Sequence, residues 1–558
     1  MSGNEIINSL NPTYAYLSAL RNINAKAYIV DAGGNGDFLS LEDAINAESQ
    51  FIFIKNGEYS ISNDVDLTFQ NIIGETKNGV KITINDATIN LKTTTEKTIG
   101  TSLNPAKLTD RSVLVTKGSG NNCNFNLVTS DGTTNIYLDS FLARVNSITD
   151  LNNLDLKIPF YGREGIDLYP WFLYNTPTQA NKISNLTIKV VNTSLNDAIK
   201  IQGFNNIIEN VNFYSENIYS NFITSSSDLP TIKLMIKNCF FEGAVKAISL
   251  DETFLSTIEN CNFQISQDYD IYGTASTNFC KFKNNSSSGS KRGIRATGKG
   301  NKIINNSFEM IDEYAVYMGN AKDDIQWDIV TKNNFINCGN GTNPVVFIQT
   351  SMPKIIDNYF KGSDKCIVVD TNISSYGINI SGNKFIECKN EINTDSTYNI
   401  IKGNTFKDSV TGSISITTNT YYNIISNNTF INCPSPINSL DRNQFSSNTI
   451  KYSSDTTITI SNSNGSLNNN SFEKTKIIIS GTLAIRNNKF KDISSGYALT
   501  ISGDKCIIAN NKFNSVTNGI DNQATADKSH ILENIFHSIT TNEINDNGTN
   551  TVNANNII

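Results

Sequence analysis

The chain has 558 residues, 17 % of them charged and 38 % hydrophobic, with a net charge of −7. An acidic balance without a basic run argues against nucleic acid as a partner. No apolar stretch of about 18 residues occurs, and Met1 to Ala25 lacks a signal-peptide pattern, so neither a membrane span nor a secretory leader is expected.

In chain order, residues 1–26 stand apart. Tyr14, Tyr16, Leu17, Leu20 and Ile23 alternate with polar residues, which reads either as a short amphipathic helix or as a frayed terminus. A helix that short is marginal alone, so if ordered it docks onto something. Tyr28 to Ala47 reads as strand, glycine turn and helix, with Ser40 and Asp43 as a capping pair before Ala44 and Ile45. The Gly33–Gly36 run has no P-loop lysine and no βαβ context, so it is a turn and not a phosphate cradle. The helix is expected to cover the open end of whatever sheet follows, beginning with Phe51 to Tyr59.

Residues 27–84 therefore read as a cap and first coils. Residues 85–164 are irregular: Thr93 to Asp110 is a polar excursion, and Ser112 to Val115 and Cys123 to Val128 read as coils resuming. Gly165 to Tyr174 is the most aromatic stretch, and residues 165–558 read as regular coils.

The regularity comes from one phrase: an aliphatic, two free positions, Asn, one free position, Phe. The Asn recurs at 285, 306, 333, 358, 383, 404, 428, 448, 470, 488, 511, 534 and 556, spaced 18 to 27 residues apart. Two residues after each stands Phe or Ile, except at Ser287. Such a period is a solenoid. The segments between, such as Cys366 to Val369 and Ala498 to Ile501, alternate with period two and are rich in Ile, Val and Thr. They are strands, about three per repeat, and none is long enough for a helix. The fold class that follows is all-β, a parallel β-helix solenoid with an N-terminal capping helix. The Asn is expected at the left-handed residue of a corner, where Asn and Gly are tolerated best, with its amide stacked at the strand spacing of about 4.8 Å. Of nine cysteines, five follow the same period, with Cys338, Cys388 and Cys433 three residues after the Phe and Cys239 and Cys261 at the Asn position. That is coil spacing and not a metal-ligand pattern, so buried thiols are expected, with no metal and no cofactor.

The phrase resembles the repeat of the right-handed, single-stranded parallel β-helix of the pectin-lyase-like superfamily, which includes pectate lyases, pectin esterases and phage tailspikes. The strand, glycine turn, helix and Ile-x-Ile-x-x-Gly-x-Tyr of residues 28–59 resemble the opening of pectin esterases and many tailspikes. The likeness spans roughly residues 27–558. In that superfamily the active groove follows one outward strand face, which implies the segment after each Phe. Mapped there, the candidate catalytic residues are Asp251, Asp270 and Arg295, and the candidate substrate-binding residues are Asp167, Tyr169, Trp171, Lys200, Tyr272 and Tyr317. Two carboxylates about 5 to 10 Å apart would serve a hydrolase, and a base with a nearby cation would serve a lyase. The same charges also read as a solvated face, and the aromatics as packing.

The superfamily's catalytic motifs are mostly missing: there is no Gly-His-Gly, and the two histidines, His530 and His537, lie in the last coils. The resemblance therefore implies a scaffold and not a known active site. It points to a tailspike- or fibre-like protein at a virion surface, docked by residues 1–26, that binds host-surface polysaccharide, with degradation of that polysaccharide left open. The alternative is a polysaccharide lyase or glycoside hydrolase acting in a lateral groove. Coils running to Ile558 with no separate cap suggest a homo-oligomer, with a trimer as the plausible form.

Overall fold

The computed structural model describes residues 27–92 and 181–558, apart from short interior stretches. Between them it describes the backbone of five strands within residues 112–175. The chain divides into two compact units at Lys281/Phe282.

In the first unit, Ala27–Val30 pairs in parallel with Phe51–Ile54, which pairs in turn with Asn71–Gly74. Between the first two strands lies the helix Leu41–Asn46. Ser40 is its N-cap, with a side-chain oxygen that accepts from Asp43 N at 3.4 Å, and it buries Leu41, Ala44 and Ile45. The hydroxyl satisfies one of the N–H groups that a helix start leaves unpaired. After Ile89–Lys92 the chain leaves the coils and re-enters them at Lys182–Val191. That strand pairs directly with Asn71–Gly74 and Val80–Asn85, with Lys182 opposite Asn71 and Val190 opposite Ile84. The joint is tight. A Cβ on Gly74 would meet the Asn185 carbonyl at 2.2 Å, and Asn185 Nδ2 donates to Gly74 O at 2.8 Å.

The expectation that coils resume at Ser112 to Val115 and Cys123 to Val128 is corrected. Ser112–Gly118 and Asn122–Ser130 pair antiparallel as a hairpin, and Phe172–Asn175 pairs antiparallel with the first of them. Alternating apolar residues specify strands but not their direction.

The second unit repeats a coil of three short strands. Representative first strands are Lys354–Ile356, Asn379–Ser381 and Ile400–Lys402; the second strands of the same coils are Tyr359–Lys361, Lys384–Ile386 and Thr405–Lys407. The third strands include Lys365–Val369, Asn390–Thr394 and Gly412–Ile416. Every one pairs in parallel with its counterpart one coil on. Phe308, Phe335, Phe360, Phe385, Phe406 and Phe430 stack through the interior with centroids 4.7 to 5.2 Å apart, the spacing of the strands that carry them.

The Asn of each phrase is buried from Asn306 to Asn534. Asn383 is typical. Its backbone N–H and Nδ2 both donate to Asn404 Oδ1, at 2.9 and 3.1 Å, and Nδ2 also donates to Ile355 O at 2.8 Å. Asn404 repeats this toward Asn428 and Ile380. Each amide thus satisfies a corner N–H and a carbonyl that the strands leave unpaired, as buried polar backbone requires. The positive φ expected at this Asn falls instead on the residue before it: Lys332, Asp357, Gly382, Gly403, Asn427, Ser447 and Glu533 have φ between 50° and 70°. Backbone conformation tolerates several residue types there, whereas the interior position keeps an amide from Asn306 to Asn534.

In the first unit Cys239 and Cys261 occupy the Asn position, each after a left-handed Asn. Their thiols donate to Lys237 O and Glu259 O at 3.2 and 3.3 Å. The eight described cysteines are all buried free thiols. A shorter second column, Asn399, Asn423 and Asn443, lies at the preceding corner, just before the first strand of each coil: Asn399 N donates to Asn423 Oδ1 and Asn423 N to Asn443 Oδ1, each at 2.8 Å.

Candidate functional site

Asp167, Tyr169 and Trp171 lie outside the described residues. The other sequence candidates divide between the two units.

In the first unit Lys200 is half-buried, on the strand Asn196–Phe204, opposite Asn90 and Thr224 on adjacent coils. Tyr272 lies opposite Ser249. Lys246 Nζ sits 4.1 Å from the Tyr272 ring centre, and the Tyr269 ring meets it edge-on at 5.3 Å. A cation over an aromatic face is attracted by the ring quadrupole. Asp251 ends its strand and holds a turn, with Oδ1 accepting from Thr274 Oγ1 at 2.5 Å and from Glu252 N at 3.1 Å. Asp270 alternates with the core residue Ile271 and is 1 % exposed.

In the second unit the third strands Arg292–Ala296, Val316–Gly319, Val346–Gln349 and Lys365–Val369 bring Arg295, Tyr317, Phe347 and Val368 opposite one another. Their neighbours Ile294, Val316, Met318, Ile348 and Val369 fill the core, so period two turns this row outward. The Arg295 guanidinium lies 5.2 Å from the Tyr317 ring centre. Tyr314, Tyr317 and Phe347 form a three-ring cluster with centroids 5.4 to 5.6 Å apart. The Tyr317 hydroxyl donates to Gln349 Oε1, and Gln349 Nε2 donates to Asp370. On the other side Arg292 Nε pairs with Glu313, which Lys291 also approaches at 3.6 Å. Burial pushes the Tyr314 phenol up, and the Glu313 carboxylate beside it adds to the shift. The row thus joins aromatic faces to oriented donors and acceptors, the combination that holds ligands with one apolar and one hydroxylated side.

The structure brings Arg295 and Tyr317 together. Arg292, Tyr314, Phe347 and Gln349 were not among the sequence candidates. Period two in Val345-Val346-Phe347-Ile348-Gln349 places 347 and 349 on the outer side and was enough to find those two. The carboxyls of Asp328 and Glu391 are pushed up, chiefly by burial, Glu391 to about 9. Both are sealed in the interior, so neither can protonate an external bond.

No protein-family model matches the chain, and no curated protein matches it. Among solved structures the chain has only distant similarities. A tailspike protein of the E. coli bacteriophage HK620 in complex with a pentasaccharide is 11 % identical, over 67 % of this chain and 73 % of its own, with a TM-score of 0.36. The DFA-IIIase of Arthrobacter chlorophenolicus is 9 % identical, over 84 % and 95 % of the two chains, with a TM-score of 0.35. A family 6 polysaccharide lyase specific for mannuronic acid, from human gut microbiota, is 14 % identical over 64 % and 81 %, with a TM-score of 0.32.

Proposed function

We propose that this chain binds a polysaccharide along the outward row of the second unit. The observation that carries this is the three-ring cluster Tyr314, Tyr317 and Phe347, continuous with the hydrogen-bonded series Tyr317, Gln349 and Asp370. Sugar rings present apolar faces to such rings and hydroxyls to such polar groups. The test is a binding screen against bacterial capsular and plant acidic polysaccharides, with Tyr317→Ala and Phe347→Ala as variants. A polysaccharide retained by the wild type and at least tenfold weaker on both variants supports the reading. Equal retention by all three contradicts it.

The finer reading is a virion surface protein, tailspike- or fibre-like, that attaches to host polysaccharide and docks through residues 1–26. A sparsely charged surface of Asn, Ser and Thr supports it. A homo-oligomer, with a trimer as the expected form, is supported by exposed Trp327, Met352, Tyr376, Tyr398 and Tyr422 on successive coils, with Ile400 and Ile424 also exposed. Apolar surface of that kind is commonly covered by another chain. Sedimentation as a monomer at micromolar concentration would rule the oligomer out.

A second reading, as a lyase or hydrolase, draws on Arg295, a cation in the outward row 5.2 Å from the Tyr317 ring centre, which would stabilise charge developing on a bound sugar acid. It predicts new reducing ends, or ultraviolet absorbance from an unsaturated product, when the bound polysaccharide is incubated with the protein. Arg295→Ala would abolish either, and an unchanged polymer would leave binding alone.

A further inference from the structure

A cavity of about 450 Å³ lies on the outer side of the Asn corner in the second unit. Each coil contributes two side chains to it. One is the left-handed residue: Asn284, Asn305, Lys332 and Asp357 in turn. The other comes two residues later and points outward: Ser286, Ser307, Asn334 and Tyr359. The two rows repeat at the strand spacing of about 4.8 Å.

The side chains explain why a hollow opens at these coils. Ser286 and Ser307 are small and leave space above the backbone, and Tyr359 then stands at the far end as a wall. Lys384, next in the same row, places Nζ 5.8 Å from the Tyr359 ring centre. Asn305 Nδ2 donates to Asn284 Oδ1 at 2.9 Å, which fixes both amides and leaves Asn305 Oδ1 and Asn284 Nδ2 oriented for a ligand.

The lining decides the chemistry. It has amides, hydroxyls, one phenol ring and one charge of each sign, and no aliphatic wall. A lipid or apolar ligand would lose water without gaining contact. A phosphate or polyanion would need a cluster of cations, and Lys332 is the one cation lining the cavity. A neutral, hydroxyl-rich ligand with one apolar face matches every group present. The volume falls within the usual range for small-ligand sites, about 300 to 1,000 Å³.

We propose that this corner groove is a second saccharide site, which takes a short neutral oligosaccharide with one sugar ring against Tyr359. It shares no residue with the row of Tyr314, Tyr317 and Phe347 and does not rest on that reading. Two sites on one unit would let a single polymer engage twice, which raises its apparent affinity over that of a short fragment.

The test is saturation-transfer NMR on the full chain with maltohexaose, cellohexaose and an α-1,6-linked glucan hexamer as probes. Three variants are compared: Ser307→Trp, which fills the hollow from outside; Tyr359→Ala, which removes the wall; and the double change Tyr314→Ala/Tyr317→Ala in the row. An unchanged thermal midpoint shows that each is folded. The groove predicts that at least one probe binds the wild type, at least tenfold more weakly to both groove variants, and unchanged to the row variant. No probe bound by the wild type, or equal affinity for the groove variants, overturns it. Loss in the row variant alone overturns the groove and leaves the polysaccharide reading standing. Loss in the groove variants alone supports the groove and leaves the row to its own polysaccharide screen.

Discussion

The interior Asn column and the outward row of third strands run along the same coils of the second unit under opposite rules. From Asn306 to Asn534 the interior position keeps one residue type, and each member makes the same three hydrogen bonds. Along the outward row the register instead aligns Arg295, Tyr317, Phe347, Val368, Asn393 and Ser415, a different chemistry at each step. The repeated position answers a demand of the backbone that recurs in every coil. Once the backbone is satisfied, the outward position is free to serve a ligand.

The sharpest break between the two is in stability. Phe406 is stacked 4.9 Å from Phe385 and 4.7 Å from Phe430, so Phe406→Ala should cost about 3–5 kcal/mol through lost burial and a cavity. Asn404→Ala removes the acceptor for Asn383 N and Nδ2 and the donor to Ile380 O, and should cost about 2–4 kcal/mol. Asn393→Ala in the outward row should stay within about 0.5 kcal/mol of wild type. Urea denaturation measures all three. Equal losses at Asn404 and Asn393 would erase the distinction.

A pH series sharpens it further. Glu391 lies inside the second unit and accepts from Ser409 Oγ. Burial is the main cause that raises its carboxyl to about 9, against about 4.3 in an unfolded chain. Between those values the folded state holds a proton that the unfolded state has released, so stability should fall as pH rises from about 5 to 9. Glu391→Gln, neutral throughout, should flatten that decline in the urea midpoint. A parallel decline in wild type and variant would place the ionisation elsewhere.

The smallest effect tests the corner itself. Ser447 has φ +57°, a conformation that a side chain other than Asn or Gly adopts at a cost. Ser447→Gly should stabilise by about 0.4–1 kcal/mol. The same change one residue on, Asn448→Gly, should destabilise, because Asn448 carries the column's hydrogen bonds to Asn470 and Ile425.

The coils were legible in the sequence because the Asn and Phe of each phrase recur in register with only small changes in spacing. The cause assigned to the Asn was half right, since its side-chain bonds and not its own φ hold it in place. The second column, Asn399, Asn423 and Asn443, stands five residues before Asn404, Asn428 and Asn448, but with three members it is too short to announce itself as a repeat. The antiparallel hairpin at residues 112–130 was hidden because alternation carries no strand direction. Of the row, Arg295 and Tyr317 could be placed by period two alone. Period two also turns Phe347 and Gln349 outward, whereas the Tyr317–Gln349–Asp370 bonds and the Arg292–Glu313 pair are contacts between coils. With 18 to 27 residues between successive Asn positions, the sequence offers no fixed offset from which to compute such contacts. The corner groove depends on side-chain size along a stack, with two serines beside a tyrosine, and no motif announces it.

The most direct measurement is one binding isotherm, wild type against Tyr317→Ala, with the best polysaccharide from the screen, alongside the urea midpoint of each protein. An outward row free of structural duty predicts at least tenfold weaker binding at an unchanged midpoint. Unchanged binding, or a loss that only follows a fallen midpoint, would contradict the division between an inner face that builds the fold and an outer face that binds.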